Sequence, residues 1–289
     1  MNPSDFPFPL HEVIAANVGA ALAEDVGSGD LTASLADPAT RRRATVIARE
    51  AAVLCGSAWF DACFARIDPA VSIRWALADG DRVAPGATIC HLEGPARSLL
   101  TGERSALNFL QLLSGVATKT AEFVALIAGT RAQIVDTRKT LPGLRVAQKY
   151  AVCCGGGGNH RMGLFDAILI KENHIAAAGG IARALERAAE IAASSGGICR
   201  FIQIEVENLD QLELALASGA KMILLDNFKP VQLAEAVARN AGRAVLEASG
   251  GIDRQSLLAI AETGVDRISI GAITKDIKAL DLSMRIDVN

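Results

Sequence analysis

Cations gather in the middle of this 289-residue chain. Asp136-Thr137-Arg138-Lys139-Thr140 follows an apolar run and is stopped by Pro142-Gly143. Arginine beside lysine on one loop can offer a planar fork and a point charge to the same anion. Taken alone, such a pair is more simply a solvated loop, and its neighbours must decide. A run of four glycines, Gly155 to Gly158, leads into Asn159-His160-Arg161. Glycines there let the backbone turn tightly or approach a ligand, although a flexible helix end has the same composition. His160 and Arg161 add two potential cations, and Lys171 adds another directly after the apolar Ala167-Ile168-Leu169-Ile170. An ammonium in that position must meet an anion or reach water. The nearby His174 is more simply structural.

The acids and small residues that could answer these cations come later. Glu205 lies in Ile204-Glu205-Val206 and Asp226 in Leu225-Asp226-Asn227. A carboxylate at the mouth of a strand suits Mg²⁺, which takes one or two carboxylates and completes its shell with water and substrate phosphate, or a sugar hydroxyl. It equally suits the first turn of a helix, and for Asp226 alone the two readings balance. Ser249-Gly250-Gly251 and Gly271 close the last two strand-like runs. Small residues there let backbone N–H groups hold a phosphate. The sum is a phosphate cradle, two carboxylates and at least four cations (Arg138, Lys139, Arg161 and Lys171), which implies a substrate rich in negative charge. No Ser-His-Asp set stands out, and Cys153-Cys154 with His160 has the wrong spacing for a zinc site.

The elements that must position these groups have two textures. Residues 41 to 100 carry short β-rich runs, Ala44–Ala48, Val71–Trp75 and Thr88–Leu92, separated by Gly and Pro. With an amphipathic opening from Leu10 to Ala23 they predict a small α+β domain over residues 1–115. Glu103 to Ala128 reads as a linking helix. Residues 116–274 then alternate strand and helix, with strands at Gln133–Asp136, Ala167–Lys171, Phe201–Glu207, Met222–Asp226, Val245–Ser249 and Arg267–Gly271. Runs apolar on both faces suit a parallel sheet covered by helices, and polar residues falling at strand C-termini favour a barrel over an open sheet. Six strands rather than eight make that barrel incomplete. The alternating tail Ala279–Ile286 suits an edge strand, so residues 275–289 are expected to return to the first domain.

Bulk composition narrows the partners. A formal charge of −3 and a pI near 5.9 give no basic field for nucleic acid, and 4% aromatic residues with one tyrosine give no stacking platform. No apolar stretch is long enough to span a membrane. Six cysteines form no CxxC pair, and the opening Met1 to Pro7 lacks a leader's layout, so the cytoplasm is expected.

With these residues in view, the chain resembles the quinolinate phosphoribosyltransferase family. The likeness runs through Glu24 to Thr32, Gly102 to Asn108, Asp136 to Gly143, Gly156 to Arg161, Ile170 to Ile175, Glu205, Leu225 to Asn227 and Glu247 to Gly251. The resemblance implies an N-terminal α/β sandwich joined to an open, seven-stranded α/β barrel, in a homodimer whose sites lie between subunits. It implies transfer of phosphoribosyl from 5-phosphoribosyl 1-pyrophosphate to quinolinate with decarboxylation, giving nicotinate mononucleotide, pyrophosphate and CO₂ for NAD synthesis. It further implies that Arg104, crossing from a partner, joins Arg138, His160, Arg161 and Lys171 around the dicarboxylate, with Lys139 near both substrates and Thr137 also binding substrate. Glu205 and Asp226 would serve ribose and Mg²⁺, and Ser249, Gly250, Gly251 and Gly271 the 5-phosphate. Lys139, Lys171, Glu205 and Asp226 would be the catalytic group. The Glu24 to Thr32 motif carries no clear chemistry. Two rivals stand beside this reading: a molybdenum-transport-associated paralogue of the same fold, against which Lys171 argues, and a non-catalytic anion-binding barrel.

Overall fold

The computed structural model describes residue 6 and residues 8–287, so part of the Met1 to Pro7 stretch read above lies outside the described residues. Along the chain run α1 (Leu10–Asp25), β1 (Arg41–Ala48), β2 (Ala52–Val53), α2 (Ser57–Ile67), β3 (Ser72–Trp75), β4 (Arg82–Val83), β5 (Thr88–Pro95) and α3 (Ala96–Leu126). Then come β6 (Gln133–Val135), α4 (Arg145–Cys154), β7 (Ile168–Ile170), α5 (Glu172–Ala178), α6 (Ile181–Ser194), β8 (Ile202–Val206), α7 (Leu209–Ala217) and β9 (Met222–Asp226). The last elements are α8 (Pro230–Asn240), β10 (Val245–Ser249), α9 (Leu257–Ala261), β11 (Arg267–Ser269), α10 (Ala272–Lys275) and β12 (Leu282–Ile286).

Two compact units result. The first holds the described residues up to Ala121, Thr140–Gly156 and those from Ile273 on. Its main sheet is antiparallel in the order β12-β1-β5-β3. The C-terminal tail supplies β12, in register from Ala44 opposite Ile286 to Ala48 opposite Leu282. Alternation along β1 buries Ala44, Val46 and Ala48. These meet a core to which α2 contributes Trp59, Phe60 and Phe64, all at most 1% exposed, and Phe60 packs edge-on against Trp75 of β3.

Two details differ from the sequence reading. Helix α3 begins at Ala96, not Glu103, and β5 continues through Gly94-Pro95. Gly94 sits where a side chain would press on Val71, so the glycine permits close packing of the strand rather than ending it. Thr140–Gly156, expected in the barrel domain, groups with the first unit, where Gln148 Nε2 donates to the Thr274 carbonyl at 2.9 Å.

The second unit, Glu122–Lys139 with Gly157–Ala272, contains a parallel sheet in the order β6-β11-β10-β9-β8-β7. Its strands are short and apolar, and helices α5 to α9 connect them, as parallel pairing requires. Six strands match the number read from the sequence. A seventh exists as a single residue: Gly158 lies parallel to Val135 at the free edge of β6, donating to the Ile134 carbonyl at 2.8 Å and accepting from Asp136 N–H at 3.1 Å. This is an open α/β barrel with β7 at one end of the sheet and the Gly158 stub at the other.

Candidate active site

Parallel register places the chemistry. Because Ile170 pairs with Ile204, the next residues along, Lys171 and Glu205, stand side by side at the strand ends. Lys171 Nζ lies 3.0 Å from one Glu205 oxygen and 3.3 Å from the other. Ser249 pairs with Asp226, and Glu205 with Leu224, so Asp226 ends its strand one pleat beyond Glu205. Residues two apart share a face, so Lys171, Glu205, Asp226 and Ser249 rise from one face of the sheet at its C-terminal edge. Asp226 accepts from Asn227 Nδ2 at 2.7 Å, which leaves its other oxygen available.

The opposite side of the mouth is built from the cation loop. Arg138 and Lys139 are exposed, and Lys139 N–H donates to Thr137 Oγ1 at 3.0 Å, turning the loop back on itself. The Lys139 side chain runs beside Gly271: a methyl group there would lie 3.0 Å from Lys139 Cδ and 3.5 Å from Thr137 Oγ1. Gly250 has φ +104°, and an added side chain would collide with the Asn227 carboxamide. Asn227 N–H in turn donates to the Ser249 carbonyl at 2.9 Å. The turn that carries Ser249-Gly250-Gly251 is thereby tied to the turn that carries Asp226.

Arg161 and His160 sit deeper. Asp136, wholly buried, accepts from His160 N–H at 2.9 Å and from Asn159 Nδ2 at 2.6 Å, which fixes the segment after the glycines. Asp166 accepts the next two amides, Met162 and Gly163, at 2.8 and 2.9 Å. Arg161 is 8% exposed, and Nη1 donates to the Ala167 carbonyl at 3.2 Å. Burial lowers its pKa most, the nearby Arg138 lowers it further, and Asp166 only partly offsets them. A guanidinium destabilised in this way gains from an arriving anion. His160, expected as a substrate ligand, has both ring nitrogens engaged: Nδ1 accepts Arg161 N–H at 2.7 Å and Nε2 lies 2.6 Å from Gln203 Oε1. In this arrangement it offers no donor to a substrate. His174 is structural, its Nδ1 accepting from Lys171 N–H at 3.0 Å.

Sequence reasoning missed a polar tier beneath the mouth. Gln203 and Glu247, both 0% exposed, lie two residues before Glu205 and Ser249 on the same faces. Gln203 Nε2 donates to Glu247 Oε2 at 3.2 Å, and Arg267 Nε approaches that oxygen at 3.5 Å. The signal was available as polar residues spaced by two on otherwise apolar strands: Gln203 with Glu205, Glu247 with Ser249, Arg267 with Ser269.

The carboxylates can be tested against Mg²⁺. Glu205 and Asp226 supply only oxygen, which suits a hard cation. Among the described residues, the one grouping of three potential ligands is Cys55, Asp79 and Cys154, elsewhere in the first unit. Glu205 and Asp226 therefore fit an ion that brings most of its shell with substrate phosphates, not a protein-built cage. Arg104 lies on an exposed position of α3 in the first unit. Among the described residues no helix is long and apolar enough to cross a membrane.

A parallel, incomplete barrel with cations, carboxylates and glycine turns at its C-terminal edge suits a phosphate-handling class of enzyme, and comparison with known proteins narrows the class. Residues 30–114 match the N-terminal domain of quinolinate phosphoribosyl transferase, and residues 116–285 match its C-terminal domain. A probable nicotinate-nucleotide pyrophosphorylase [carboxylating] of Bacillus subtilis is 41% identical over 92% of this chain and 91% of its own length. Quinolinate phosphoribosyltransferase [decarboxylating] 1 of Nicotiana glauca is 38% identical over 92% of this chain and 80% of its own. The solved nicotinate-nucleotide pyrophosphorylase of Francisella tularensis superposes with a TM-score of 0.92 at 47% identity, covering 96% of both chains. The chain belongs to the quinolinate phosphoribosyl transferase family.

Proposed function

We propose that this protein transfers the phosphoribosyl group of 5-phosphoribosyl 1-pyrophosphate to quinolinate and releases CO₂, yielding nicotinate mononucleotide and pyrophosphate for NAD synthesis. The observation that carries this is the convergence, at one barrel mouth, of the Lys171–Glu205 pair, Asp226, the Ser249–Gly251 turn and Lys139 against Gly271. Cations, carboxylates and a glycine-lined turn are there arranged for two anionic substrates at once.

Arg138, Arg161 and Lys171 bind the two carboxylates of quinolinate, the fork of each arginine matching a carboxylate and the lysine adding a point charge. Thr137 shapes the Arg138 loop, and His160 braces the Arg161 main chain. Glu205 and Asp226 orient the ribose hydroxyls, and the Ser249–Gly251 turn with Gly271 holds the 5-phosphate through backbone N–H groups. Lys139, alongside Gly271, faces both substrates. Glu205 and Asp226 would hold a Mg²⁺ that arrives with the pyrophosphate, and its charge would neutralise the leaving group. As pyrophosphate departs, C1 of the ribose gains oxocarbenium character, and the site's main contribution is to hold the pyridine nitrogen in line with it. The bond from that nitrogen to C1 makes the ring cationic. The ring then accepts the electron pair of the C2–carboxylate bond as CO₂ leaves, and a proton takes its place at C2. No further electron sink is required.

A homodimer in which the partner's Arg104 completes the site accounts for an arginine on an exposed face of α3. Supporting this, Leu164 and Phe165, directly after the Arg161 turn, are 75% and 67% exposed, as befits a surface that another copy covers. The cytoplasm is the assigned compartment. Incubating the protein with quinolinate, phosphoribosyl pyrophosphate and Mg²⁺ should release CO₂ and form nicotinate mononucleotide. Turnover of nicotinate with none of quinolinate would overturn the assignment.

A further inference from the structure

Three buried side chains below the mouth form a directed chain. The Arg161 N–H points at His160 Nδ1, 2.7 Å away, so Nδ1 accepts; a proton there would set two N–H groups against each other. Gln203 can be oriented from its other partner. Glu247 is a carboxylate held 3.5 Å from the Arg267 guanidinium, and an ionised carboxylate only accepts. The Gln203 atom 3.2 Å from Glu247 Oε2 must then be the amide nitrogen. The amide oxygen therefore faces His160 Nε2 at 2.6 Å, and Nε2 carries the hydrogen. Hydrogen runs in one direction, from His160 Nε2 to Gln203 and from Gln203 to Glu247.

We infer that Gln203 and Glu247 are positioning residues that lock His160 as a neutral imidazole protonated on Nε2, making His160 a bracket for the Arg161 main chain and not a further cation for the substrate. Three observations support it. His160 is 5% exposed, so the ring sits within the barrel wall. Phe201 packs edge-on against it at 5.3 Å, fixing the ring plane. Glu247 Oε1 and Arg267 Nε have no hydrogen-bond partner, and Glu247 Oε1 stands 3.7 Å from His160 Nε2, too far to bond. The carboxylate is thus hydrogen-bonded by the amide of Gln203 and faced by the charge of Arg267, while its contact with the imidazole is longer than a hydrogen bond.

The arrangement suits a site that must release one of the carboxylates it binds. Arg138, Lys139, Arg161 and Lys171 already oppose the dicarboxylate. With the partner's Arg104 these make five, and a sixth cation would hold the departing carboxylate more tightly in the ground state than in the transition state, where its charge is passing into the ring, and so would slow its release. A neutral histidine sets the register of Arg161 without adding charge.

The test has two arms on the full-length protein. In ¹⁵N-histidine NMR, the His160 resonances are assigned by their loss in His160→Gln. At pH 7 the free enzyme should show one protonated and one unprotonated ring nitrogen for His160, and Gln203→Met should abolish that fixed tautomer. Two protonated nitrogens in the wild type would overturn the inference, whatever the kinetics. The kinetic arm rests on the proposed reaction. Gln203→Met should raise KM for quinolinate about tenfold or more, as small displacements of a binding arginine do, with KM for phosphoribosyl pyrophosphate unchanged. His160→Gln, whose amide can still donate to Gln203, should retain more activity than His160→Lys. A lysine variant outperforming the glutamine variant would show that charge, not bracing, is what position 160 supplies.

Discussion

Replacing Lys171 with methionine separates the lysine's charge from its volume. In the free protein its ammonium lies 3.0 and 3.3 Å from the Glu205 carboxylate, with the lysine side chain 45% exposed and the glutamate 11%. Half-exposure screens the pair, so its own contribution to stability is about 1 kcal/mol or less. Removing the ammonium also leaves a largely buried carboxylate without its partner, at a cost of roughly 1–3 kcal/mol. Lys171→Met should therefore lower the melting temperature by about 2–12 °C, at about 2–4 °C per kcal/mol for a chain of this size. The catalytic loss is separate from this and should be at least as large. A charged group aimed at a reacting anion in a shielded site is worth about 10²–10³ in kcat, or roughly 2.7–4 kcal/mol. Calorimetry and single-turnover release of ¹⁴CO₂ from labelled quinolinate measure the two quantities on the same preparation. The double variant Lys171→Met/Glu205→Gln removes both charges and should regain most of the stability but none of the turnover. The reasoning fails if a folded Lys171→Met chain turns over within threefold of wild type. It also fails if the double variant recovers activity, because Lys171 would then serve only to neutralise Glu205.

Other consequences can be checked on the same assay. Arg138→Ala should abolish turnover with an unchanged melting curve, since the residue is exposed; turnover close to wild type would remove it from the site. Mixing Arg104→Ala chains with Arg138→Ala chains should restore part of the activity through heterodimers that contain one intact site, and verified heterodimers without activity would exclude shared sites. Gly250→Ala forces φ +104° on a side chain and drives it into Asn227, with about 1–3 kcal/mol of backbone strain. It should raise KM for phosphoribosyl pyrophosphate more than tenfold, and an unchanged KM would dissociate this turn from phosphate binding. Chelating Mg²⁺ should stop turnover while leaving the melting temperature of the free protein unaltered, because Glu205 and Asp226 alone form no cage. A clear upward shift on adding Mg²⁺ without substrate would indicate a resident ion.

The barrel was legible because its strands are short apolar runs that end in a polar residue, and that change marks where a strand leaves the helix-covered wall. Lys171, Glu205, Asp226 and Ser249 could be placed at one mouth on that basis alone. Strand order was not legible: β11 lies between β6 and β10, and nothing local to Arg267–Ser269 says so. The strand stub at Gly158 was hidden for a different reason. A glycine run carries no alternation, so its bridge to Val135 is set by tertiary pairing alone. Thr140–Gly156 is built around α4, a helix that would suit either unit, and its grouping with the first depends on partners such as Thr274 that are distant in sequence. His160 was read as a cation from its company. Both of its ring nitrogens are claimed by Arg161 N–H and Gln203, a pairing that only the folded barrel creates.

Two polar tiers inside one barrel impose a cost that the fold must offset. Burying Glu247, Gln203 and most of Arg267 removes a charge pair and an amide from water, and such groups are rarely more stabilising than an apolar core. Their geometry is also incomplete, since Glu247 Oε1 and Arg267 Nε remain without hydrogen bonds. A core built only for stability would place leucine or valine here, as β9 does with Leu224 alongside Glu205 and Glu247. The polar tier is therefore best explained by what stands above it. Arg161 must be held firmly enough to meet a carboxylate in a fixed orientation, and an apolar floor would give the preceding imidazole no direction. The same alternation that sends Glu205 and Ser249 into the mouth sends Gln203 and Glu247 into the floor, so the residues proposed to face substrate and their braces share strands. A change of register in β8 or β10 would displace both together. The site's rigidity is thus a property of the strands and does not depend on the loops that follow them.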